Sequence, residues 1–339
     1  MTPPSAARWA RSTSSGTAPV CRHRGGAITD QRRGRRDRRS AEAPCQHDRV
    51  GDVRDQEAVD GLVALLDLEP IEVNIFRGVS PDETMQRVFG GQVAGQALVA
   101  AARTVDPEAG DVHSLHSYFL RPGDPTVPIL YEVDRIRDGR SFTTRRVVAI
   151  QHGRAIFNLQ ASFHRHEPGM DHQLPMPAEV AEPETLPTFT ERWAPMADEL
   201  GEWYTRRRPI DTRHVEGSLA ARRHPQPPRQ RVWFKAAGVL PDEALLHACV
   251  MTYASDMTLL DTTLLPHGGE FDPRQLMMAS LDHVMWFHRP FRADEWLLHD
   301  QDSPSASGGR GSSRGSIYTR DGALAATLAQ EGLIRRIDP

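Results

Sequence analysis

One carboxylate in this chain sits where a carboxylate is costly. In "YASDMTLLDTTLLPHG" (253–268), Asp256 follows Tyr253, Ala254 and Ser255 and precedes Met257, Leu259 and Leu260, at the edge of a run that otherwise reads as a buried helix. Such a group loses most of its hydration and must recover it through partners. Partial burial also raises its pKa towards the range useful for a general base. Taken alone, Asp256 reads first as a helix-capping carboxylate.

Other residue types of chemical interest form weaker patterns. His113 and His116 lie on one strand-like segment, and His283 and His288 flank Trp286 on another. Four histidines invite a metal, but their spacing gives neither HExxH nor a cysteine-supported set, so structural or binding-surface roles are expected. Asp282, beside them, reads as a surface or supporting residue. Cys21, Cys45 and Cys249 form no CxxC, which points to a reducing compartment without a disulfide framework. Cys249, in "LLHACVMTYASD", reads as a small buried apolar residue. "GGQVAG" lacks the GK[ST] ending of a phosphate loop, and its glycines are expected to permit close helix–sheet packing. No GxSxG occurs, which disfavours a serine hydrolase.

The elements that must position these groups follow from composition and periodicity. The chain has 339 residues, 39% hydrophobic and 25% charged, with a net charge of -4; its mean hydropathy is -0.51 and its pI is near 6.4. Such values give no whole-molecule attraction to nucleic acid or anionic lipid. No apolar run approaches the ~18 residues of a membrane span. Residues 1–55, with "DQRRGRRDRRSAEAP", lack hydrophobic periodicity and are expected to be disordered. A basic tail for nucleic acid, a transit peptide or a translation start placed too far upstream would each explain that segment, and the last is preferred.

From Gln56 a short amphipathic helix is expected, stopped near Pro70 and followed by a strand over Ile71 to Phe76. "VFGGQVAGQALVAAARTVD" reads as a helix rich in small residues. "VHSLHSYFLRPG", "VPILYEVDRIRDG", "SFTTRRVVAIQHG" and "RAIFNLQASFHRH" are strand-length runs ending in turn signals. Residues 166–215 carry prolines every few residues and read as a linker with a helical stretch around "ERWAPMADELGEWY". The second half repeats the first: a strand in "RQRVWFKAAGVLP", a helix over "DEALLHACVMTYASDMTLLDTTLLP", two strands within "LMMASLDHVMWFHRPFRADEWLLHDQDSP", and a closing meander. "YFLRPGD" at 118 and "WFHRPFR" at 286 match at an offset of 168, which indicates a tandem duplication.

"FRGVSPDETMQRVFGGQVAGQAL", "HSYFLRPGD", "RDGRSFTTRRVVAIQHG", "SLDHVMWFHRPF", "EWLL" and "QEGLIRR" resemble the type II acyl-CoA thioesterases, the TesB-like enzymes, over about residues 57–337. The resemblance implies an α+β double hotdog, two fused domains that each wrap a helix in an antiparallel sheet. Residues 56–165 would form the first and 216–339 the second, after a 166–215 linker. It implies hydrolysis of fatty acyl-CoA to free fatty acid and coenzyme A, with no metal or organic cofactor. The catalytic set it implies is Asp256 in "YASD", Ser280 in "ASLDH" and Gln330 in "AQEG"; the family uses Thr or Ser at the second position. A thiolate leaves readily, so these residues would activate a water without a covalent nucleophile. Backbone N–H groups near 254–257, taken as a helix start, are the expected oxyanion donors.

Arg310 and Arg314 in "SASGGRGSSRG", with Arg121 and Arg289, are candidates for the phosphates of coenzyme A, although the first two fit a simple polar hairpin equally well. An enoyl-CoA hydratase of the same fold would carry His five residues after the Asp, where this chain has Asp261. A non-catalytic acyl-CoA binding module would lose the polar trio. The expected setting is cytoplasmic, as a homo-oligomer, with no nucleic-acid partner and no stable membrane insertion.

Overall fold

The computed structural model describes residues 53–81, 87–270 and 275–337. Helix α1 (Val53–Leu66) opens the described chain. The expectation of disorder over 1–55 falls outside the described residues except at 53–55, which belong to this helix. Strands β1 (Glu69–Glu72) and β2 (Ile75–Gly78) form a hairpin in place of the single expected strand. Asn74, with φ of 65°, adopts the left-handed conformation that reverses the chain.

Helix α2 (Gly90–Ala102) follows, then a meander of β3 (Asp111–Phe119), β4 (Ile129–Asp138), β5 (Phe142–Gln151) and β6 (Arg154–His164). Short helices α3 (Phe189–Trp193), α4 (Ala197–Leu200) and α5 (Glu202–Thr205) interrupt the next stretch. Strand β7 (Ile210–His214), inside the span expected to be linker, pairs with β8 (Arg229–Ala236). The remaining elements are α6 (Ala244–Ser255), β9 (Leu276–Ser280), β10 (Asp282–Phe287), β11 (Leu297–Ser307), β12 (Arg310–Thr319) and β13 (Leu324–Arg336).

All these strands join one antiparallel sheet in the order β1-β2-β4-β5-β6-β3-β10-β13-β12-β11-β8-β7, with β9 also on β13. The order is a mirror: β2, β4, β5, β6 and β3 on one side answer β8, β11, β12, β13 and β10 on the other. The duplication meets itself at β3 and β10, where Leu115 pairs with Met285. Each half wraps its own helix, the double hotdog implied by the resemblance.

The two helices pack on one another at the centre. Gly91 faces the carbonyl of Tyr253, and Gly95 faces that of Cys249, so α2 and α6 run antiparallel. A Cβ at 91 would overlap the Tyr253 oxygen, and one at 95 would lie 2.9 Å from Leu66 Cδ2. Gly91 and Gly95 therefore serve helix–helix contact, while Gly90, where a Cβ would lie 2.8 Å from Phe119 of β3, gives the close helix–sheet approach that was expected. Every residue of α2 from Gly91 to Ala101 is buried. Its two polar side chains are satisfied: Gln96 donates to Leu65 O at 2.6 Å and accepts from Tyr131 Oη at 2.7 Å, while Gln92 donates to Ser80 Oγ. Buried amides without partners would each cost ~1–3 kcal/mol.

The segment after β6 lies over the outer face of the second half. Met176, Val180 and Leu186 cover Trp233, Trp296 and Leu298, and Trp233 Nε1 donates to Ala181 O. A charged residue is buried in the first half. Arg145, 1% exposed, donates to Thr104 Oγ1, Thr104 O, Arg137 O and Thr144 O, and pairs with Asp138. Arg145→Met should strand these acceptors and lower stability by about 2–3 kcal/mol, readable as a shift in urea midpoint at unchanged slope.

Candidate active site

Helix α6 ends at Ser255, and Asp256 is its C-cap, with φ -83°. Residues 254–257 are thus the C-terminal end of a helix, and the expectation that their N–H groups form an oxyanion site is overturned. The helix start that reaches Asp256 belongs to the other half: antiparallel packing brings the N-terminus of α2 to the end of α6. The backbone of Gly91 approaches the Asp256 carboxylate and acts to lower its pKa. A Cβ at Gly90 would lie 2.6 Å from Asp256 Oδ2, so only glycine allows this approach.

Ser280 and Gln330 come to the same carboxylate. Gln330 Nε2 donates to Asp256 Oδ1 at 2.6 Å and to Ser280 Oγ at 2.7 Å, while Ser280 Oγ donates to Asp256 Oδ1 at 3.2 Å. Burial raises the Asp256 pKa to about 6, opposed by Gln330, Ser280 and Gly91. The carboxylate thus titrates near neutrality while keeping two side-chain donors to its charged form.

A bulge sets Ser280. Ser280 pairs with Gly332 on β13, and Val284 pairs with Ala329, so one residue is inserted between them. Leu281 N donates to Glu331 O and Asp282 Oδ1 accepts from Glu331 N, which pins the irregularity. Without it, Ser280 and His283, three apart, would face opposite sides of the sheet. With it, both face the helices. Asp282, expected at the surface or in support, is this brace.

His283 lies behind Gln330. Its Nε2 is 2.9 Å from Ser255 Oγ, and burial pushes its pKa down to about 4 against the opposing influence of Gln330 and Asp282. The ring is neutral at physiological pH. Sequence reasoning places His283 among structural or binding-surface histidines and misses its position beside the trio, because the bulge changes its facing. His113 bonds Ser162 Oγ, His116 stacks edge-on against Trp286, and His288 bonds Thr327 Oγ1. Among the described residues no three His, Cys, Asp or Glu side chains converge as a metal site. Cys249 is buried, which pushes its thiol pKa up, away from nucleophilic use.

The first half has the same frame without the trio. Ser117 pairs with Leu159 as Met285 pairs with Leu328, which aligns the halves. On that alignment His283, Gln330 and Ser313 correspond to Leu115, Ala161 and Arg145. The position of Gln330 is thus an alanine in the first half, and the buried guanidinium of Arg145 stands where the second half has Ser313.

The four arginines singled out from sequence lie elsewhere. Arg310 pairs with Glu331 and Arg314 with Asp302, on the sheet face opposite the one that carries Ser313 and Gln330. Arg289 pairs with Asp171, and Arg121 donates to Ala155 O. The run 305–315 is the β11–β12 hairpin, turned by Gly308 and Gly309 at φ 58° and 74°.

A cleft is lined by Val88, Phe89, Tyr253 and Met257, the chain neighbours of Gly90 and Asp256 among them. No helix among the described residues is long and apolar enough to cross a membrane.

Comparison with known proteins bears on the fold and the family. Residues 199–333 match the family model described as acyl-CoA thioesterase, and residues 80–164 match that of the acyl-CoA thioesterase N-terminal domain. Acyl-coenzyme A thioesterase 8 of Homo sapiens is 43% identical, with 81% of this chain and 88% of that protein covered. Acyl-CoA thioesterase 2 of Haemophilus influenzae is 40% identical, over 82% of this chain and 98% of that one. The crystal structure of an acyl-CoA thioesterase II from Mycobacterium marinum superposes with a TM-score of 0.68 at 46% identity, covering 81% of this chain and 98% of that one. The mirrored sheet, the antiparallel helix pair and these matches give one conclusion: the chain belongs to the acyl-CoA thioesterase family.

Proposed function

We propose that the chain hydrolyses fatty acyl-CoA to a free fatty acid and coenzyme A at Asp256, Ser280 and Gln330. The observation that carries the reading is the triangle of these three side chains set against the N-terminus of α2. In this reading Asp256 takes the proton of a water as it attacks the thioester carbonyl. Ser280 and Gln330 orient that water and hold the carboxylate in one rotamer.

The first bond inside α2 runs from Val93 N to Phe89 O, so the N–H groups of Gly90, Gly91 and Gln92 precede its ladder. These groups, at the positive end of the helix that meets Asp256, suit the developing oxyanion. The tetrahedral intermediate then expels the thiolate, which recovers the proton from Asp256. A thiol, with an ordinary pKa of ~8.5, is a far better leaving group than an alcohol, so no strong acid is required.

The test is release of free thiol from a panel of acyl-CoA esters by the wild type, Ser280→Ala and Gln330→Ala. Both variants are expected to lose about 10–10³-fold in kcat with folding intact, since each removes a donor that acts on the water or the carboxylate. Wild-type activity retained in both would overturn the assignment of the trio. Cytoplasmic location and homo-oligomeric assembly belong to the same proposal. The buried thiol of Cys249 and the exposed Ile71 and Val73 near the β1 edge are consistent with them. Cell fractionation and light scattering are the respective tests.

A further inference from the structure

The amide of Gln330 has a second end. Its Nε2 donates to Asp256 and Ser280, so Oε1 must find a donor elsewhere. Gln330 is 2% exposed, and among the described residues Oε1 has no hydrogen-bond partner. A buried acceptor left so is costly, and nothing at that end stops the amide from turning over during the reaction. While Asp256 is ionised, only the Nε2 end suits it. Once Asp256 holds the proton of the attacking water it can donate, and Oε1 then suits it as well. An amide turned that way gives neither Asp256 nor Ser280 the donor it had. A donor on Oε1 would hold the orientation through the whole cycle.

His283 is placed to be that donor. The register that pairs Val284 with Ala329 puts His283 across from Gln330, on the same face of the sheet. The ring is 1% exposed, and its Nδ1, like Oε1, has no partner among the described residues. Burial lowers the ring's pKa to about 4, and Gln330 leads the influences that oppose it, as a hydrogen-bonded neighbour would. Other nearby donors point elsewhere. Ser313, which pairs with Gln330 from β12, is turned to Thr263 Oγ1 at 3.0 Å. His299, also buried, has its Nε2 over Gly315, whose pair on β13 is Leu328.

Ser255 decides which ring nitrogen carries the proton. Its hydroxyl lies 2.9 Å from both Thr252 O and His283 Nε2, and has one proton to give. Given to Thr252, it leaves Nδ1 bare, so that Nδ1 and Oε1 are two buried acceptors without a donor. Given to Nε2, it leaves Nδ1 protonated, and both orphans are satisfied at once.

We propose that His283 is a positioning residue for the hydrolysis: its Nδ1–H donates to Gln330 Oε1, with Ser255 Oγ donating to Nε2, and keeps the amide aimed at Asp256 and Ser280. The consequence for rate rests on the thioesterase reading above; the contact itself does not. His283 touches neither the water nor the substrate in this scheme and acts only through Gln330. A ring that merely filled space or anchored Ser255 would use Nε2 alone, so the two roles fall on different nitrogens.

Two substitutions in the full chain separate those roles. Counted along the bonds from Cβ, the amide nitrogen of asparagine matches Nδ1 and that of glutamine matches Nε2. His283→Gln should lower kcat for an acyl-CoA about tenfold or more with KM nearly unchanged, and His283→Asn should recover most of that loss. In a Gln330→Ala background the same His283→Gln change should cost less than about twofold, because the amide it positions is gone. Glutamine equal to or better than asparagine, or an undiminished further loss in the Gln330→Ala background, would overturn the proposal. A magnetic-resonance reading of isotope-labelled histidine ring nitrogens needs no turnover. The His283 signals, assigned by their loss in His283→Asn, should show a neutral ring protonated at Nδ1 at about pH 7, and that proton should exchange faster with water in Gln330→Ala. A ring protonated at Nε2 would sink the contact. Should the Nδ1–H form be present and no thioester be hydrolysed, the contact stands and the hydrolase reading falls.

Discussion

Asp256→Asn should lower kcat about 10³-fold and at the same time make the protein more stable at neutral pH. The two effects share one origin. Burial lifts the folded-state pKa of Asp256 to about 6 from an ordinary 3.8. Between those two values the folded state holds a proton that the unfolded state has released. Stability therefore falls as pH rises through that window, and the loss is complete above it. Converting the shift gives an opposing contribution on the order of 2–3 kcal/mol at neutral pH.

Asparagine keeps an oxygen for the Ser280 and Gln330 donors and removes the charge. The gain in melting temperature should be present at about pH 7.5 and vanish near pH 4, where the wild-type carboxyl is protonated. In the wild type, kcat should rise with pH along a limb centred near 6, because only the ionised carboxylate accepts the proton of water. Thermal melts and initial rates from about pH 4 to about pH 8 check both. An Asn variant that retains wild-type turnover would remove Asp256 from the chemistry.

Gly91→Ala carries the second large effect. Its Cβ would overlap the carbonyl oxygen of Tyr253 and press on the ring of Phe89. A backbone carbonyl inside a buried helix cannot swing aside, so α2 and α6 must separate. Overpacking of this kind costs about 1–3 kcal/mol or more. Separation also moves the start of α2 away from Asp256, which lies against Gly90. The fall in kcat should therefore exceed what the drop in melting temperature explains, with residual activity low even at about 10 °C, where the variant is folded. Gly61→Ala is the control: no atom lies within 4 Å of a Cβ there, it sits in exposed α1, and helix propensity favours Ala by about 1 kcal/mol. Equal behaviour of the two variants would show that the helix contact is slack.

Much of this is legible in the residues alone. Asp256 stands out because a carboxylate among apolar neighbours must have partners. The period-two runs give β3 to β6, and the matching "YFLRPGD" and "WFHRPFR" give the duplication. Ser280 and Gln330 are different: single polar residues on strands carry no local signal, and only the wider motif points to them. The bulge at Leu281 is illegible, since one inserted residue inverts the facing of all that follows without altering composition. His283 is misplaced for that reason. The contribution of Gly90 and Gly91 is hidden more deeply, because it is made by backbone. No side-chain pattern can announce it, and its partner lies 165 residues away in sequence, from Gly91 to Asp256. Legibility ends where tertiary pairing begins, so the helix end is assigned to the wrong half.

The guanidinium of Arg145 has a bearing on history. A duplicated gene begins with two equivalent copies, either of which can lose its chemistry while the other keeps it. In this chain the first half holds, where the second has Ser313, a buried charge that needs Thr104, Thr144 and Arg137 as acceptors. Placing a glutamine at Ala161 would set its side chain beside the Arg145 guanidinium, since the two positions pair across β5 and β6. Removing Arg145 to make room would strand its buried acceptors. The asymmetry between the halves thus works as a ratchet: one buried side chain makes a second polar cluster costly to install.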